Sequence, residues 1–418
     1  MNRLRIKQLF FTATAILIFI PNLRLYVPRA TIPPQSRLTN NIQAELRFIK
    51  QSIENGAGAD MQALFPEGDF FLNVLYGLSW VNVGLQLPQA DPQRLEAIQE
   101  ATWAWENLGS EASKRPFQVS QSLAPSYGIF YTGWRTYLLG GILLMQDPDN
   151  VNQSQLAQFT TNCAAIAEAV SRSPTPFLSA YPSASWPVDM LPAMVALKIH
   201  GRLVNDDYEP IIEQWFTQLP SYLDTNTGLL PHRTQYATGR PLQGARGTSQ
   251  VLILRFMAEL DPAFATGNYN IFRENYVIYR WGLPGVLEYP KGIDGIGDVD
   301  SGPLLDGVSL SATAVMLGTS RVFGDTNLSN ALWHSGEMLG FPIRWNGQKR
   351  YWFGILPVGD AFVVWSKTAV SWLEPMPQQT FPRLIPWWWR LPFHLLSLLG
   401  LVLLWRLFRP IRREQKGP

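Results

Sequence analysis

The sequence is poor in the residues that most metal, redox and nucleophilic sites require. Its 418 residues include one cysteine, Cys163, and four histidines. A single cysteine excludes an internal disulfide and any metal site built from several cysteines, such as a zinc ribbon. No phosphate-binding loop, GxSxG elbow, HExxH or CxxC motif occurs, and the glycine-rich segments lack a preceding strand pattern. We therefore expect neither a metal nor a cofactor.

Charge is also scarce, because 16% of the residues are charged against roughly 25% in a typical soluble protein. The formal net charge is +2, but it is unevenly spread. Residues 1–29 hold five basic residues and no acid, and residues 383–418 hold seven basic residues and one acid. The stretch between them carries 22 basic and 31 acidic residues, a net charge of −9. An acidic body of this kind disfavours nucleic acid as a partner.

Both basic ends flank an apolar run. Residues 9–20 form the first run, and residues 391–405 form the second, which follows three tryptophans and precedes an arginine-rich segment. Aromatic residues at one end and arginines at the other are typical of a membrane-spanning helix, and basic residues stay on the cytoplasmic side. A cleaved signal peptide is the alternative for the first run, and a buried core helix is the alternative for the second.

These runs predict a two-pass protein of the cell membrane. Residues 1–29 are the expected signal anchor, residues 384–408 the expected second transmembrane helix, and residues 409–418 a basic cytoplasmic tail. Both termini would lie in the cytoplasm, and the acidic body would lie outside it. The expected partners are the membrane, through two anchors, and other membrane proteins.

Between residues 40 and 375, helical patterns of two kinds alternate. One kind is amphipathic, and the other is apolar nearly all round and rich in small residues. A helix that is apolar all round is buried, and one with a polar stripe lies outside. The apolar kind begins near Asp69, Tyr127, Pro187, Arg246, Val308 and Asp360, at spacings of 52 to 62 residues. The amphipathic kind covers residues 41–56, 91–109, 154–173, 205–224, 268–282 and 326–339.

Six inner helices that alternate with six outer ones predict an all-α fold, a closed (α/α)6 toroid of six helical hairpins over residues 40–375. The two predicted transmembrane helices would flank it. An open helical solenoid is the competing all-α arrangement. One small β-hairpin is expected, because PIRW and KRYWFGI flank Asn346 and Gly347, a common turn pair.

The alternation and the segments DTNTGLLPHR, GARGTSQ and GDVDSGPLLDGVSLSATA resemble the six-hairpin (α/α)6 toroid superfamily. That superfamily includes many glycosidases and, more distantly, the catalytic domain of linalool dehydratase-isomerase. The resemblance covers residues 40–375 and implies a carbohydrate or another small molecule as the ligand. The dehydratase-like members are associated with paired cysteines at the site, and Cys163 stands alone here, so that chemistry does not carry over.

The loops that lead into the inner helices are longer and chemically richer than the loops that leave them. This places the expected site at the mouth, the end of the toroid where the inner helices begin, and helix N-termini there favour anionic groups. Asp298 and Asp300 in GDVDSG form the densest acidic cluster. Asp189 precedes an apolar inner helix, and Asp69 lies beside Glu67 in PEGDFF. Helix capping is the alternative for Asp69 and for the GDVDSG pair, and that pair has the further alternative of binding a metal. The alternative for Asp189 is a charge that complements the helix dipole.

His232 is the histidine that falls at the mouth, as a catalytic candidate or as a loop hydrogen-bond partner. Arg233 beside it and Arg246 at the start of the next inner helix are candidate substrate-binding residues, and Arg246 could instead neutralise Asp300. Four aromatic residues could stack on sugar rings or could fill the core. They are Tyr127, Tyr131, Trp134 and Trp186.

The predicted function is hydrolysis of a carbohydrate, such as a cell-envelope polysaccharide, by two carboxyl groups. Asp189 or Asp69 would act with Asp300 as acid and base, and Asp298 and His232 are the further catalytic candidates.

Two other functions remain open at the level of the sequence. A lyase or isomerase on the same fold would use Tyr131 and His232, with Arg246 neutralising an acidic substrate. A protein without catalytic activity would instead bind a glycan or take part in the assembly of an envelope polysaccharide.

Overall fold

The computed structural model describes residues 3–27, 40–204, 207–280, 282–382 and 386–408, and these ranges are mostly helical. The helices are α1 (Arg3–Arg24), α2 (Asn40–Glu54), α3 (Ala57–Leu64), α4 (Gly68–Gly84), α5 (Pro92–Asn107), α6 (Glu111–Lys114), α7 (Gly128–Met145), α8 (Gln153–Arg172), α9 (Met190–Val204), α10 (Glu209–Gln218), α11 (Gly247–Leu260), α12 (Pro262–Tyr276), α13 (Leu310–Val322), α14 (Thr326–Leu339), α15 (Pro357–Thr368) and α16 (Leu391–Phe408). The strands are β1 (Arg233–Thr234), β2 (Pro241–Gln243), β3 (Val277–Arg280), β4 (Leu283–Leu287), β5 (Val308–Ser309), β6 (Ile343–Trp345) and β7 (Gln348–Arg350).

Six helices form a closed inner ring. Helix α4 packs against α7, α7 against α9, α9 against α11, α11 against α13 and α13 against α15, and α15 returns to α4. Helices α5, α8, α10, α12 and α14 each pack on the inner helix that precedes them, and α2 covers α15 and α4. The contact between α15 and α4 excludes the open solenoid. The predicted all-α toroid is therefore confirmed, and its inner helices begin at most three residues from the predicted starts.

Small residues let the inner helices approach one another closely. Gly133 of α7 lies against α9, where an added Cβ would stand 3.1 Å from the Cβ of Ala193. Two turns further along α7, an added Cβ at Gly140 would likewise lie close to the side chains of Phe159 and Ile199. The small residues that mark the apolar helical pattern in the sequence therefore set the spacing of the ring.

Aromatic side chains fill the axis of the helix ring. The Trp134 ring lies 5.2 Å from that of Phe256 and 6.1 Å from that of Trp365. Further from the mouth, Tyr137 stacks on Trp372 at 4.2 Å. The axis is therefore a packed core rather than a channel.

The segment after α15 closes the end of the ring that lies opposite the mouth. The backbone N–H groups of Trp372 and Leu373 donate to the carboxylate of Glu259 at 2.8 and 3.1 Å. Burial raises the pKa of Glu259 to about 7. These contacts hold the segment after α15 across the end of the ring opposite the mouth.

A buried ionic cluster joins the two ends of the ring, and we call it the clasp. Lys367 of α15 contacts Glu45 of α2 at 2.8 Å and Glu337 of α14 at 2.5 Å. Lys349 of β7 contacts the same two glutamates at 2.9 and 2.8 Å. Burial alone would lower the pKa of Lys367, but the two carboxylates raise it above its usual value. The clasp thus holds α2 against the last hairpin of the ring through four charges that are shielded from water.

The predicted β-hairpin is present beside the clasp. Strands β6 and β7 pair antiparallel, with Trp345 opposite Gln348. The turn residues Asn346 and Gly347 both have positive φ, at 50° and 72°, as a two-residue hairpin turn requires. The two other small sheets, β1-β2 and β3-β4-β5, were not part of the sequence prediction.

The predicted placement in a membrane is wrong. In the stretches that the structure describes, no helix combines the length and the apolar character that a membrane crossing needs. Helix α16 has 18 residues, including His394 and Arg406, and the apolar part of α1 covers only residues 9–20, whereas a span takes about 20 apolar residues. These two helices pack against each other instead, and the Nδ1 of His394 contacts the side-chain oxygen of Asn22 at 2.6 Å.

The predicted basic tail, residues 409–418, lies outside the described residues, as do residues 1–2 and 28–29 of the predicted signal anchor and residues 384–385 of the predicted second span.

Lys367→Met tests the clasp. The variant leaves two buried carboxylates with one lysine between them, so we expect it to lower the free energy of unfolding by about 3–5 kcal/mol. Urea denaturation followed by circular dichroism measures this change. The matched control is Arg172→Met, which breaks an exposed ion pair with Glu168 and should cost only about 0–1 kcal/mol. Equal losses in the two variants would show that the clasp does not stabilise the ring.

Candidate active site

Three loops build most of the wall at the mouth. They lead into α9, α11 and α13 and cover residues 177–189, 229–246 and 288–309. The first two are tied together because the Thr234 N–H donates to the Ser185 carbonyl at 3.0 Å. The third leaves the sheet through β4 and returns to it through β5. Short backbone pairings therefore hold long loops over the starts of the inner helices.

Three carboxyl groups gather around Tyr181 at the mouth. Its hydroxyl donates to the carboxylate of Glu67, and the charges of Glu67, Asp189 and Asp300 all raise the pKa of the phenol, after burial. Sequence reasoning singled out two of these acids and missed Tyr181. We call Glu67, Asp189 and Asp300 the acidic cluster.

Asp189 is the most buried member of the acidic cluster. It ends a short 3-10 turn over Pro187–Asp189 that leads into α9, and it is 7% exposed. No hydrogen bond to its carboxyl group is present in the described part of the chain. Burial raises its pKa well above the usual value, and the charges of Asp300 and Glu67 raise it further. Asp189 therefore keeps its proton far above the pH at which an ordinary aspartate loses it.

Asp300 has a different environment. Its side chain keeps contact with solvent, but the surrounding walls displace part of the water. This desolvation, followed by the charges of Asp298 and Glu67, raises the pKa of Asp300 to about 6. One carboxyl group is thus buried and has a strongly raised pKa, while its neighbour is accessible and has a pKa of about 6.

Arg246 holds the loop of residues 288–309, which carries Asp300 and which we call the acidic loop. Its Nε donates to Glu288 at 2.7 Å, and its Nη1 donates to Asp298 at 2.5 Å. The other oxygen of Asp298 accepts the N–H groups of Asp300 and Ser301, both at 3.1 Å. Desolvation alone would raise the pKa of Asp298, but the hydrogen bond from Arg246 keeps it below the usual value. Arg246 therefore positions the acidic loop, and two of its donors are no longer free for a substrate.

His232 lies beside this loop. It is buried, and its Nδ1 lies 2.5 Å from the hydroxyl of Ser249. Burial, followed by the charge of Arg246, lowers its pKa to about 4, so the imidazole is neutral at pH 7. Ligand atoms of His232, Asp298 and Asp300 lie within 4.8 Å of one another. Because both oxygens of Asp298 already accept hydrogen bonds, this trio is a poor fit for a metal ion.

The structure does not bring Asp69 into the acidic cluster. Its carboxylate accepts a hydrogen bond from the hydroxyl of Ser113, near α6, and contacts the amide of Asn73 at 3.5 Å. Glu67, two residues earlier, faces the mouth in its place. The sequence singled out Asp69 at this position and named Glu67 only beside it.

The four predicted aromatic residues divide into two groups. Trp134 is buried in the axis, and Tyr131 is buried with its hydroxyl donating to the Leu108 carbonyl at 2.9 Å. Tyr127 and Trp186 are partly exposed at the mouth.

Two phenylalanines that the sequence did not single out form the floor of the mouth. Phe71 and Phe362 are partly exposed, their rings lie 5.5 Å apart, and Phe71 rests on Trp134 below. Both residues lie in the first two turns of inner helices, and this position in the sequence pattern could have indicated that they face the mouth.

Arg233 lies at the rim with its guanidinium 5.3 Å from the centre of the Trp186 ring.

A separate groove of about 610 Å³ runs behind the loop of residues 288–309, and its lining contains no member of the acidic cluster. Cys163 lies away from the mouth on α8, where it is buried with its Sγ 3.7 Å from the Ala196 carbonyl.

Arg246→Met tests the positioning of the acidic loop. The variant leaves Glu288 buried without its cation, so we expect faster amide hydrogen exchange over residues 289–307 and a loss of about 3–5 kcal/mol in stability. The matched control is Arg280→Met, which breaks an exposed pair with Asp306 on the same loop. Unchanged exchange in the first variant would contradict the positioning role.

Comparisons with known proteins do not identify a family for this chain. No protein-family model matches the sequence, and no curated protein matches it. Among solved structures, the chain is similar to a selenomethionine derivative of the GH76 alpha-mannanase of Bacteroides thetaiotaomicron. The TM-score is 0.45 and the sequence identity is 10%, over 71% of this chain and 84% of that chain. A similarity this distant carries no conclusion about what the chain binds or does.

Proposed function

We propose that the toroid is a glycoside hydrolase that cleaves a carbohydrate at the mouth. The observation that supports this best is the contrast between two neighbouring carboxyl groups. Asp189 is buried, has no hydrogen-bond partner in the described ranges and has a strongly raised pKa, whereas Asp300 is open to solvent. Hydrolysis of a glycosidic bond needs one protonated and one ionised carboxyl group, and different environments are the means of keeping them so.

In this mechanism Asp189 is the general acid. It donates its proton to the glycosidic oxygen as the bond to the anomeric carbon breaks. Burial and the charges of Asp300 and Glu67 favour the protonated form of Asp189, because they raise its pKa well above the usual value.

Asp300 is the general base. It takes a proton from a water molecule that attacks the anomeric carbon, and its exposure gives that water access. This role inverts the configuration at the anomeric carbon, which NMR of the first-formed product reports. The partly exposed rings of Phe71, Phe362 and Tyr127 offer apolar surfaces to the C–H faces of a sugar.

The contacts of Tyr131 disfavour the lyase or isomerase. Its hydroxyl already donates to the Leu108 carbonyl, and desolvation raises its pKa to about 12, so it is a weak candidate for a base. Arg246, which would neutralise an acidic substrate in that reaction, is engaged by Glu288 and Asp298.

Asp189→Asn and Asp300→Asn test the hydrolase. Each removes one of the two groups that move protons, so each should lower kcat by about 10²- to 10⁴-fold while glycan binding persists. Release of reducing ends from a polysaccharide panel measures the rate. Asp69→Asn is the matched control and should keep its rate, because Asp69 hydrogen-bonds Ser113 away from the cluster. Full activity in both cluster variants would contradict the roles of Asp189 and Asp300, and no release of reducing ends by the wild type would contradict hydrolysis and leave the glycan-binding role.

The pH dependence of kcat/KM tests the assignment of acid and base. Asp300 must be ionised to act as the base, so the rate should rise as the pH increases through about 6. Asp189 must be protonated to act as the acid, so the rate should fall only well above the usual pKa of an aspartate. Asp300→Asn should abolish the acidic limb in the residual rate. An acidic limb that persists in this variant would show that another group is the base.

A further inference from the structure

We propose that Arg233 and Trp186 form a subsite for the carboxylate of an acidic sugar, such as a hexuronic acid, next to the acidic cluster. This inference rests on the proposed function in one respect, namely that a glycan occupies the mouth. It goes further by naming the class of glycan and the side chains that recognise its charge.

Arg233 is an arginine of the mouth that has no carboxylate partner among the described residues. Its counterpart Arg246 is bound on two sides by Glu288 and Asp298. No ion pair of Arg233 is present in the described part of the chain, and its buried Nε has no hydrogen-bond partner there. The side chain is partly exposed, so a ligand from solvent can reach it. A half-buried guanidinium without a counter-ion favours an anion from outside the chain.

The neighbouring residues hold Arg233 in place for such a ligand. Its backbone belongs to β1, where it lies opposite Gln243 of β2, and its guanidinium is 5.3 Å from the centre of the Trp186 ring. A guanidinium beside an indole keeps its planar fork in one orientation, and that fork binds a carboxylate through two parallel hydrogen bonds. Because the strand and the ring already hold the side chain, little conformational entropy is lost when the ligand binds.

The subsite adjoins the acidic cluster without merging with it. Trp186 lies three residues before Asp189 in the chain, and its ring meets that of Tyr181 edge-on at 6.2 Å. Tyr181 in turn donates to Glu67 of the cluster. A carboxylate bound by Arg233 would therefore lie beside the Trp186 ring rather than at Asp189 and Asp300, in the sugar unit next to the bond that is cleaved.

The test is a binding measurement on the full chain by isothermal titration calorimetry. The probes are oligogalacturonides, oligomannuronates and hyaluronan fragments, each paired with its carboxyl-reduced, neutral counterpart. We expect at least one acidic probe to bind at least tenfold more tightly than its neutral counterpart. Arg233→Gln should abolish that preference, and Arg233→Lys should restore only part of it, because an ammonium lacks the planar fork. Arg240→Gln, at an exposed arginine of the same hairpin, should keep the preference.

Each outcome decides between the subsite and its absence. Equal binding of acidic and neutral probes, no binding of any acidic probe, or equal effects of Arg233→Gln and Arg240→Gln would each overturn the subsite. Release of reducing ends, measured in the same samples, separates the two proposals. Acidic probes that bind through Arg233 but are not cleaved support the subsite and contradict hydrolysis. Glycans that are cleaved although acidic and neutral probes bind equally support hydrolysis and contradict the subsite.

Discussion

Lys367 and Lys349, buried between Glu45 and Glu337, join the helix that starts the toroid to the hairpin that ends it. Four charges out of water are tolerated because each lysine contacts both glutamates, and removal of any one leaves an uncompensated charge in the core. The contact they stabilise, α2 against α15, covers the seam where α15 meets α4. Everything at the mouth depends on that closure, since the loops that form the site lie on different hairpins.

The closed ring also determines where chemistry can occur. Aromatic side chains around Trp134 fill its axis, and the contact of Glu259 with the backbone after α15 seals the far end. The candidate site lies at the mouth, where burial differs sharply between residues. Asp189 is buried at the start of α9 and Asp300 is exposed on the loop of residues 288–309, so two side chains of the same chemical type differ in pKa. That difference is what the proposed hydrolysis requires.

The two arginines of the mouth have different roles because their surroundings differ. Arg246 lies between Glu288 at the base of the acidic loop and Asp298 near its tip, so these two carboxylates neutralise its charge within the protein. Arg233 lies on the short β1 strand beside Trp186, and the described chain offers it no acid. In the sequence both residues precede the same inner helix and both were assigned to substrate binding. Only their surroundings separate a positioning residue from a proposed binding residue.

The sequence by itself determined the alternation of inner and outer helices, the small β-hairpin and the end of the toroid at which acids gather. These follow from local pattern, because burial on all sides excludes charge from a helix and the turn at Asn346 needs positive φ. Apolar runs with basic flanks also led to the wrong prediction of membrane spans, since composition records apolar character but not the extent of the helix. The tertiary structure decided which side chains meet. Glu67 and Asp69 are two residues apart at the start of α4, a rotation of about 200° on a helix, so only one of them faces the mouth. Tyr181, Phe71 and Arg246 likewise acquired their roles from neighbours that are distant in the chain.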